Sequence, residues 1–269
     1  MSFPGRNRLK HWFWILMFRY PRLRMALTRL FVPAREVDVQ IFGAPLHIST
    51  REEIGLWRAA KMADDNIIFR DEAATLLNLA LLLRPGDVFV DVGANVGLYS
   101  SVLSRYRQLF PSTKYVAIEA NPETARRLQQ SVAGRDVTVI NMGASDRAIH
   151  LAFEPGVTSG VFKVSESVGA NGANRISCER LDALPLPVGD LVIKIDVEGH
   201  ELPVVKGASR LFDEERVKVV YLDGYTSEEI PALLKEYGFD FFDGRTLERS
   251  SSVAPDYSLL AVHRSRLCK

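Results

Sequence analysis

Three stretches gather the residues whose types and spacing could do chemistry. Asp91-Val92-Gly93-Ala94-Asn95-Val96-Gly97 sets an acid two residues ahead of a glycine, with a second glycine four residues on. Ile118-Glu119-Ala120-Asn121-Pro122 sets a carboxylate at the end of an apolar run, with Asn121 beside it. Ile193-Lys194-Ile195 leads into Asp196-Val197-Glu198-Gly199-His200-Glu201, three acids and a histidine at the end of a strand-like segment. Glycines at the start of a helix let a ligand approach the backbone. The spacing Gly93-x-x-x-Gly97 is not the Gly-x-Gly-x-x-Gly of a dinucleotide turn. A pyrophosphate gains little from a carboxylate such as Asp91, whereas a cationic ligand is attracted by it, and S-adenosylmethionine carries an ammonium and a sulfonium. Glu119 stands where two ribose hydroxyls could donate to it. Asn141-Met142-Gly143-Ala144-Ser145-Asp146 offers small residues against which an adenine could lie flat. There Ser145 or Asp146 could accept from the adenine amino group, although a plain turn reads equally well. So many ionisable groups between Asp196 and Glu201 would be costly if buried without purpose, which marks a site. Lys194 is expected to pair with one of these carboxylates or with a substrate oxygen.

These residues need a scaffold that brings strand ends together, and the sequence supplies one. Val88 to Val92, Tyr115 to Ile118, Val137 to Asn141, Leu191 to Ile195 and Val217 to Leu222 read as buried strands. Gly97 to Tyr106, Pro122 to Val132, Leu202 to Phe212 and Ser227 to Tyr237 read as helices between them, and this alternation predicts a parallel sheet covered on its faces. Asp240 to Phe242 and Tyr257 to Val262 are expected as a terminal antiparallel pair. Upstream, Val37 to Ile48 reads as a hairpin broken at Gly43-Ala44-Pro45. Asp71 to Leu83 reads as a helix with Ala74, Leu77 and Leu81 on its apolar face, ended by Arg84-Pro85-Gly86-Asp87. The rhythm breaks from Arg147 to Cys178, where Ile149 to Phe153 and Gly160 to Val164 look like short strands and Gly169 to Gly172 like loop. An insertion there is a candidate substrate cover. The expected organisation is an arm over 1–36, a hairpin and helix over 37–83, and a main domain over 84–269 with its insertion at 147–178.

Composition bounds the remaining classes. The 269 residues are 47% hydrophobic and 25% charged, an ordinary globular composition that excludes disordered and collagen-like chains. Thirty-four Lys and Arg against 33 Asp and Glu leave a net charge of +1, which argues against a nucleic-acid surface. Two distant cysteines, Cys178 and Cys268, cannot make a zinc cluster and suit a reducing cytoplasm. Residues 1–35 hold no acid but eight basic residues, around the apolar run Trp12 to Phe18. Seven residues cannot span a bilayer, which takes about 20. Aromatic residues flanked by arginines suit peripheral contact with an anionic membrane face through residues 6–35, or packing on the domain or a second subunit.

The chain resembles the FkbM family of S-adenosylmethionine-dependent methyltransferases, through VFVDVGANVGLYS, AIEANPE, NMGASD, ERLDAL and IKIDVEGHELPVVKGA, over roughly Arg84 to Val262. The resemblance implies a class I methyltransferase, Rossmann-like α/β fold: a seven-stranded sheet with helices on both faces and the last strand antiparallel. It implies O-methylation of a hydroxyl on a sugar, glycan or secondary metabolite. It places Asp91, Gly93, Asn95 and Gly97 along the methionine part of the cofactor, Glu119 at the ribose, and Asp196, Glu198 and His200 towards the acceptor. Asp223 in VYLDGY stands where a glutamate is expected. An alcohol needs a base, so Asp196 or His200 removes its proton, or Asp196, Glu198 and Asp223 together hold Mg2+ that lowers its pKa. Two other classes stay open at this point. An NAD-linked oxidoreductase would share the sheet and Glu119 but not this glycine spacing, and a non-catalytic adaptor would be expected to lose Asp91 or Asp196.

Overall fold

The computed structural model describes Tyr20 and residues 32–61, 67–154, 163–165, 175–250 and 258–267. The Trp12 to Phe18 run, the Gly169 to Gly172 loop and Cys268 lie outside these. Glu36–Ile41 (β1) and Ala44–Ser49 (β2) form the antiparallel hairpin, turning at Phe42 and Gly43, whose φ angles are 48° and 72°. Alternation puts Ala44, Leu46 and Ile48 inward, where they join a core shared with the main sheet. A short helix, Ile54–Lys61 (α1), precedes Ile67–Leu82 (α2).

α2 differs from its expected orientation. Leu77 and Leu81 are exposed, at 60% and 66%, while Leu76, Leu79 and Leu83 are buried. The helix is apolar nearly all round, so spacing alone does not choose the inward stripe. Polar contacts choose it: Asn78 Nδ2 donates to the carbonyls of Gly244 and Arg245 at 2.8 and 3.0 Å, and Thr75 Oγ1 lies 3.1 Å from the Tyr221 hydroxyl.

Val88–Val92 (β3), Leu98–Arg105 (α3), Lys114–Ile118 (β4), Pro122–Ser131 (α4) and Val137–Ile140 (β5) follow in the expected rhythm. The chain then leaves the main sheet. Gly143–Ser145 (β6), Ile149–Glu154 (β7), Lys163–Ser165 (β8) and Arg175–Arg180 (β9) form a separate four-stranded sheet in the order β6-β9-β7-β8. Asn141 to Asp146 is therefore no plain turn, because it opens this second sheet. Leu191–Ile195 (β10), Glu201–Lys206 (α5), Ser209–Asp213 (α6), Val217–Leu222 (β11), Glu229–Glu236 (α7), Phe239–Asp243 (β12), Leu259–His263 (β13) and Arg264–Leu267 (α8) complete the described chain.

The main sheet has seven strands in the order β12-β13-β11-β10-β3-β4-β5. β11, β10, β3, β4 and β5 pair in parallel, and β13 runs antiparallel to both its neighbours. This is the class I methyltransferase architecture. Strands with helices on both faces are apolar throughout, and their residues divide between two cores. Val88, Val90 and Val92 feed one and Phe89 the other. β3 connects to β4 on one side and lies against β10 on the other. The strand order reverses there, which opens a crevice at the carboxyl ends of β3 and β10.

Candidate active site

The β3–α3 turn is built from left-handed backbone. Gly93, Asn95 and Gly97 have φ of 75°, 51° and 86°, a region that glycine tolerates and asparagine enters more readily than most residues. At Gly93 the demand is also steric, since a Cβ would stand 1.8 Å from the Asp196 carbonyl oxygen. The turn is fastened to the next strand by the Gly93 and Ala94 amides, which both donate to the Ile118 carbonyl at 3.0 Å.

Glu119 closes this side. Its carboxylate accepts from the Asn95 and Asn121 amides, each at 2.9 Å, and burial pushes its pKa up to about 7. Two backbone donors use only part of the carboxylate's accepting capacity, so it can still receive a diol.

Gly93, Asn95, Glu119, Asp196, Glu198 and His200 line one cavity of about 180 Å³. Its remaining wall is apolar and includes Val92, Ile118, Met142, Gly143 and Ala144. Leu151, Ile176 and the buried free thiol Cys178 join them from the second sheet, so the insertion walls the cavity itself.

Several residues expected at the site support it from outside this lining. Asp91 is fully buried, and its Oδ2 accepts from the Ser100 amide and hydroxyl at 3.2 and 2.8 Å, fixing the start of α3. Gly97 is packed so closely that a Cβ would meet Leu128 at 2.4 Å. The Asn121 side chain caps α4, accepting from the Glu123 and Thr124 amides. Ser145 turns its hydroxyl to His200 Nε2 at 3.0 Å, and Asp146 meets the Arg147 guanidinium at 3.3 Å. Gly143 and Ala144 thus give a flat wall, while the two polar side chains beyond them are engaged elsewhere.

On the β10 side, parallel register sets Lys194 beside Asp91 on β3 and Tyr221 on β11. Lys194 is buried, with Nζ 3.5 Å from Asp91 Oδ1 and 3.2 Å from Asp196 Oδ2. Neighbouring carboxylates hold its ammonium well above the usual lysine range against the opposing cost of burial. Asp223 at the end of β11 is solvent-accessible, and its pKa is raised by partial burial and by Asp196. Glu198, with a left-handed φ of 47°, is raised likewise by burial and Asp196. The alternative in which Asp196, Glu198 and Asp223 hold Mg2+ finds no support in the geometry. Among the described residues no three His, Cys, Asp or Glu side chains converge as metal ligands, and the charge that Asp196 meets is the Lys194 ammonium.

Residues 91–241 match the methyltransferase FkbM domain. The chain belongs to the FkbM methyltransferase family. Among curated relatives, the hexuronic acid methyltransferase AglP of Haloferax volcanii is 28% identical over 213 residues, covering 74% of this chain and 79% of that protein. Among solved structures, an FkbM methyltransferase from Methylobacillus flagellatus aligns at 18% identity and a TM-score of 0.43. That alignment covers 68% of this chain and 44% of the other, so the chain spans less than half of that relative. A TehB-like S-adenosylmethionine-dependent methyltransferase from Corynebacterium glutamicum aligns at 12% identity and a TM-score of 0.43, over 78% and 94% of the two chains.

The FkbM region begins at Asp91, yet Glu72, before it, interacts with Lys194 and Asp196. Glu72 and Thr75 on α2, with Tyr99 and Tyr221, are residues that sequence reasoning did not single out. Glu72 shares its helix with Arg70 and Asp71, so its residue type alone gave no signal.

Proposed function

We propose that this FkbM protein transfers a methyl group from S-adenosylmethionine to a hydroxyl oxygen of a sugar or glycan. The observation that carries the reading is the junction at the β3–β10 crevice. A left-handed glycine turn and the buried Glu119 stand on one side of a single cavity, and Asp196, Glu198 and His200 on the other. Glu119 would receive the ribose hydroxyls, Gly93 and Asn95 the amino-acid portion, and the wall of Gly143, Ala144 and Met142 the adenine. When bound, the cofactor supplies an electrophilic methyl group on a sulfonium.

The protein's own contribution is alignment and proton removal. In-line displacement needs the acceptor oxygen, methyl carbon and sulfur held in a row, and positioning of this kind supplies a large part of such accelerations. A hydroxyl is a poor nucleophile until its proton leaves. Asp196 lines the cavity, and its Oδ2 is engaged by Lys194, which leaves the other oxygen for the acceptor proton. His200, held by Ser145, stands beside it as the alternative base. The named substrate of the Haloferax relative supports a sugar acceptor. Carboxylates at Asp196 and Glu198 in the cavity lining favour a hydroxyl over a carboxylate as the oxygen methylated.

The test is transfer of labelled methyl from S-adenosylmethionine to matched methyl glucoside and methyl glucuronide. Asp196→Asn is expected to lower turnover by about 10²- to 10⁴-fold, with affinity for S-adenosylhomocysteine kept within twofold. Retained turnover would remove Asp196 from proton transfer.

The basic, aromatic composition of residues 6–35 supports peripheral membrane contact, which would suit a lipid-linked glycan. No described helix is long and apolar enough to cross a membrane. In flotation with anionic liposomes, the full chain is expected to rise with the lipid and a chain starting at Val37 to remain below. Equal behaviour of the two would dismiss the contact.

A further inference from the structure

Beyond Asp196, outside the cavity lining, polar side chains from several elements form one connected chain. The Tyr99 hydroxyl on α3 donates to the Glu72 carboxylate on α2. The Tyr99 ring lies under the Lys194 ammonium, 4.7 Å from Nζ to the ring centre, within the range of a cation–π contact. From there Nζ reaches Asp196 Oδ2 at 3.2 Å and Asp91 Oδ1 at 3.5 Å. Asp91 Oδ1 is buried and accepts no hydrogen bond, so the ammonium is what compensates it.

A lysine side chain is long and has several rotatable bonds, and its ammonium is a point charge without the directional fork of arginine. Two carboxylates on adjacent strands attract Lys194 without fixing the tilt of its terminal atoms. The face of Tyr99 supplies the third restraint, and the orientation of that ring depends on where its hydroxyl is held. Glu72 holds it. Burial raises the Glu72 pKa, and the hydrogen bond from Tyr99 opposes that shift.

We propose that Glu72, which lies upstream of the FkbM-matched region, is a positioning residue for methyl transfer. Through Tyr99 it sets Lys194, and through Lys194 it sets the carboxylate of Asp196 against the acceptor oxygen. The inference rests on the assignment of Asp196 as the group facing the acceptor. It adds that α2, not the family domain alone, completes the catalytic apparatus.

The test compares Glu72→Ala, Glu72→Gln and Tyr99→Phe with the wild-type chain in three measurements. The first is calorimetric affinity for S-adenosylhomocysteine, expected to stay within twofold in all three variants because none of these residues lines the cofactor cavity. The second is methyl transfer to methyl glucoside. Glu72→Ala and Tyr99→Phe are expected to lower kcat about tenfold or more, since small misplacements of a reacting group are costly, while KM for the acceptor changes little. Glu72→Gln keeps an oxygen for the Tyr99 hydroxyl and is expected to retain most of the activity. The third is the NMR signal of the Lys194 ammonium protons, identified by its loss in Lys194→Met. It is expected to be present in the wild type and Glu72→Gln and to be broadened by exchange in Glu72→Ala.

Unchanged kcat in Glu72→Ala, or an unchanged ammonium signal, would overturn the proposal. So would a parallel loss of kcat and cofactor affinity, the mark of a merely structural role. Should the wild type fail to bind S-adenosylhomocysteine or to methylate the glucoside, the functional reading fails instead, and the ammonium signal still decides whether Glu72 sets Lys194.

Discussion

Gly93, Asn95 and Glu119 come from one continuous strand–turn–helix–strand stretch, and the backbone does most of the shaping there. The surroundings of Asp196 are assembled differently: Glu72 comes from α2, Tyr99 from α3, Lys194 from β10, and Tyr221 and Asp223 from β11 and its end. The first half is a local device whose geometry is fixed by φ angles and amide hydrogen bonds. The second is a tertiary one whose geometry depends on charges and rings meeting across strands. A cofactor common to many enzymes can be held by the first kind. Under the proposed function, an acceptor particular to one enzyme would be met by the second, where single side chains from distant segments can change independently.

Substitutions should separate the two halves. The largest expected effect is at the β3–α3 turn. Gly93→Ala adds a Cβ that would stand 1.8 Å from the Asp196 carbonyl oxygen at a φ of 75°, and should cost about 3 to 5 kcal/mol. Scanning calorimetry should show a fall of roughly 10 °C in Tm, and a near-native transition would mean that the turn is not fixed as described.

A smaller effect follows from Glu119, whose pKa stands at about 7 through burial. Ribose hydroxyls donate best to the ionised carboxylate, so binding favours loss of this proton. Affinity for S-adenosylhomocysteine should be full above pH 7 and weaken by up to about tenfold per pH unit below it. Glu119→Gln should bind more weakly and lose that slope. Stability of the unliganded chain should move the opposite way: this group is raised from 4.5, so the folded state holds the proton more tightly and loses stability as pH rises from about 4.5 towards 7. A slope retained in Glu119→Gln would assign the pH dependence to another group.

The smallest effect is expected at Asn121, whose side chain caps α4 instead of facing the cavity. Asn121→Ala should cost about 1 kcal/mol of stability, seen as a fall of roughly 3 °C in Tm, with cofactor affinity unchanged. A selective loss of affinity would return Asn121 to the binding surface.

The same contrast explains what could be read from sequence. The seven-stranded sheet was legible because its strands are continuous apolar runs separated by helices. The clustering of Gly93, Asn95 and Glu119 was legible because each stands just past the end of a continuous apolar strand, and neighbouring parallel strands bring such ends together. Lys194 was legible as a partner for carboxylates, and β3–β10 register decides that Asp91 and Asp196 are the two. The inward stripe of α2 was not legible, because Leu77 and Leu81 continue the apolar pattern as well as Leu76 and Leu79 do. Ser145, Asp146 and Asn121 have side chains suited to binding a base or ribose, but the same atoms also serve His200, Arg147 and a helix end. Glu72 and Tyr99 were invisible as a pair, since nothing local to either residue points to the other.

The most direct test of the central claim is calorimetric titration of the purified chain with S-adenosylhomocysteine and, separately, with NADH, repeated on Glu119→Ala. Saturable binding of S-adenosylhomocysteine alone, weakened at least tenfold in the variant, is the predicted result. Binding of NADH, or affinity for S-adenosylhomocysteine that ignores Glu119, would contradict it.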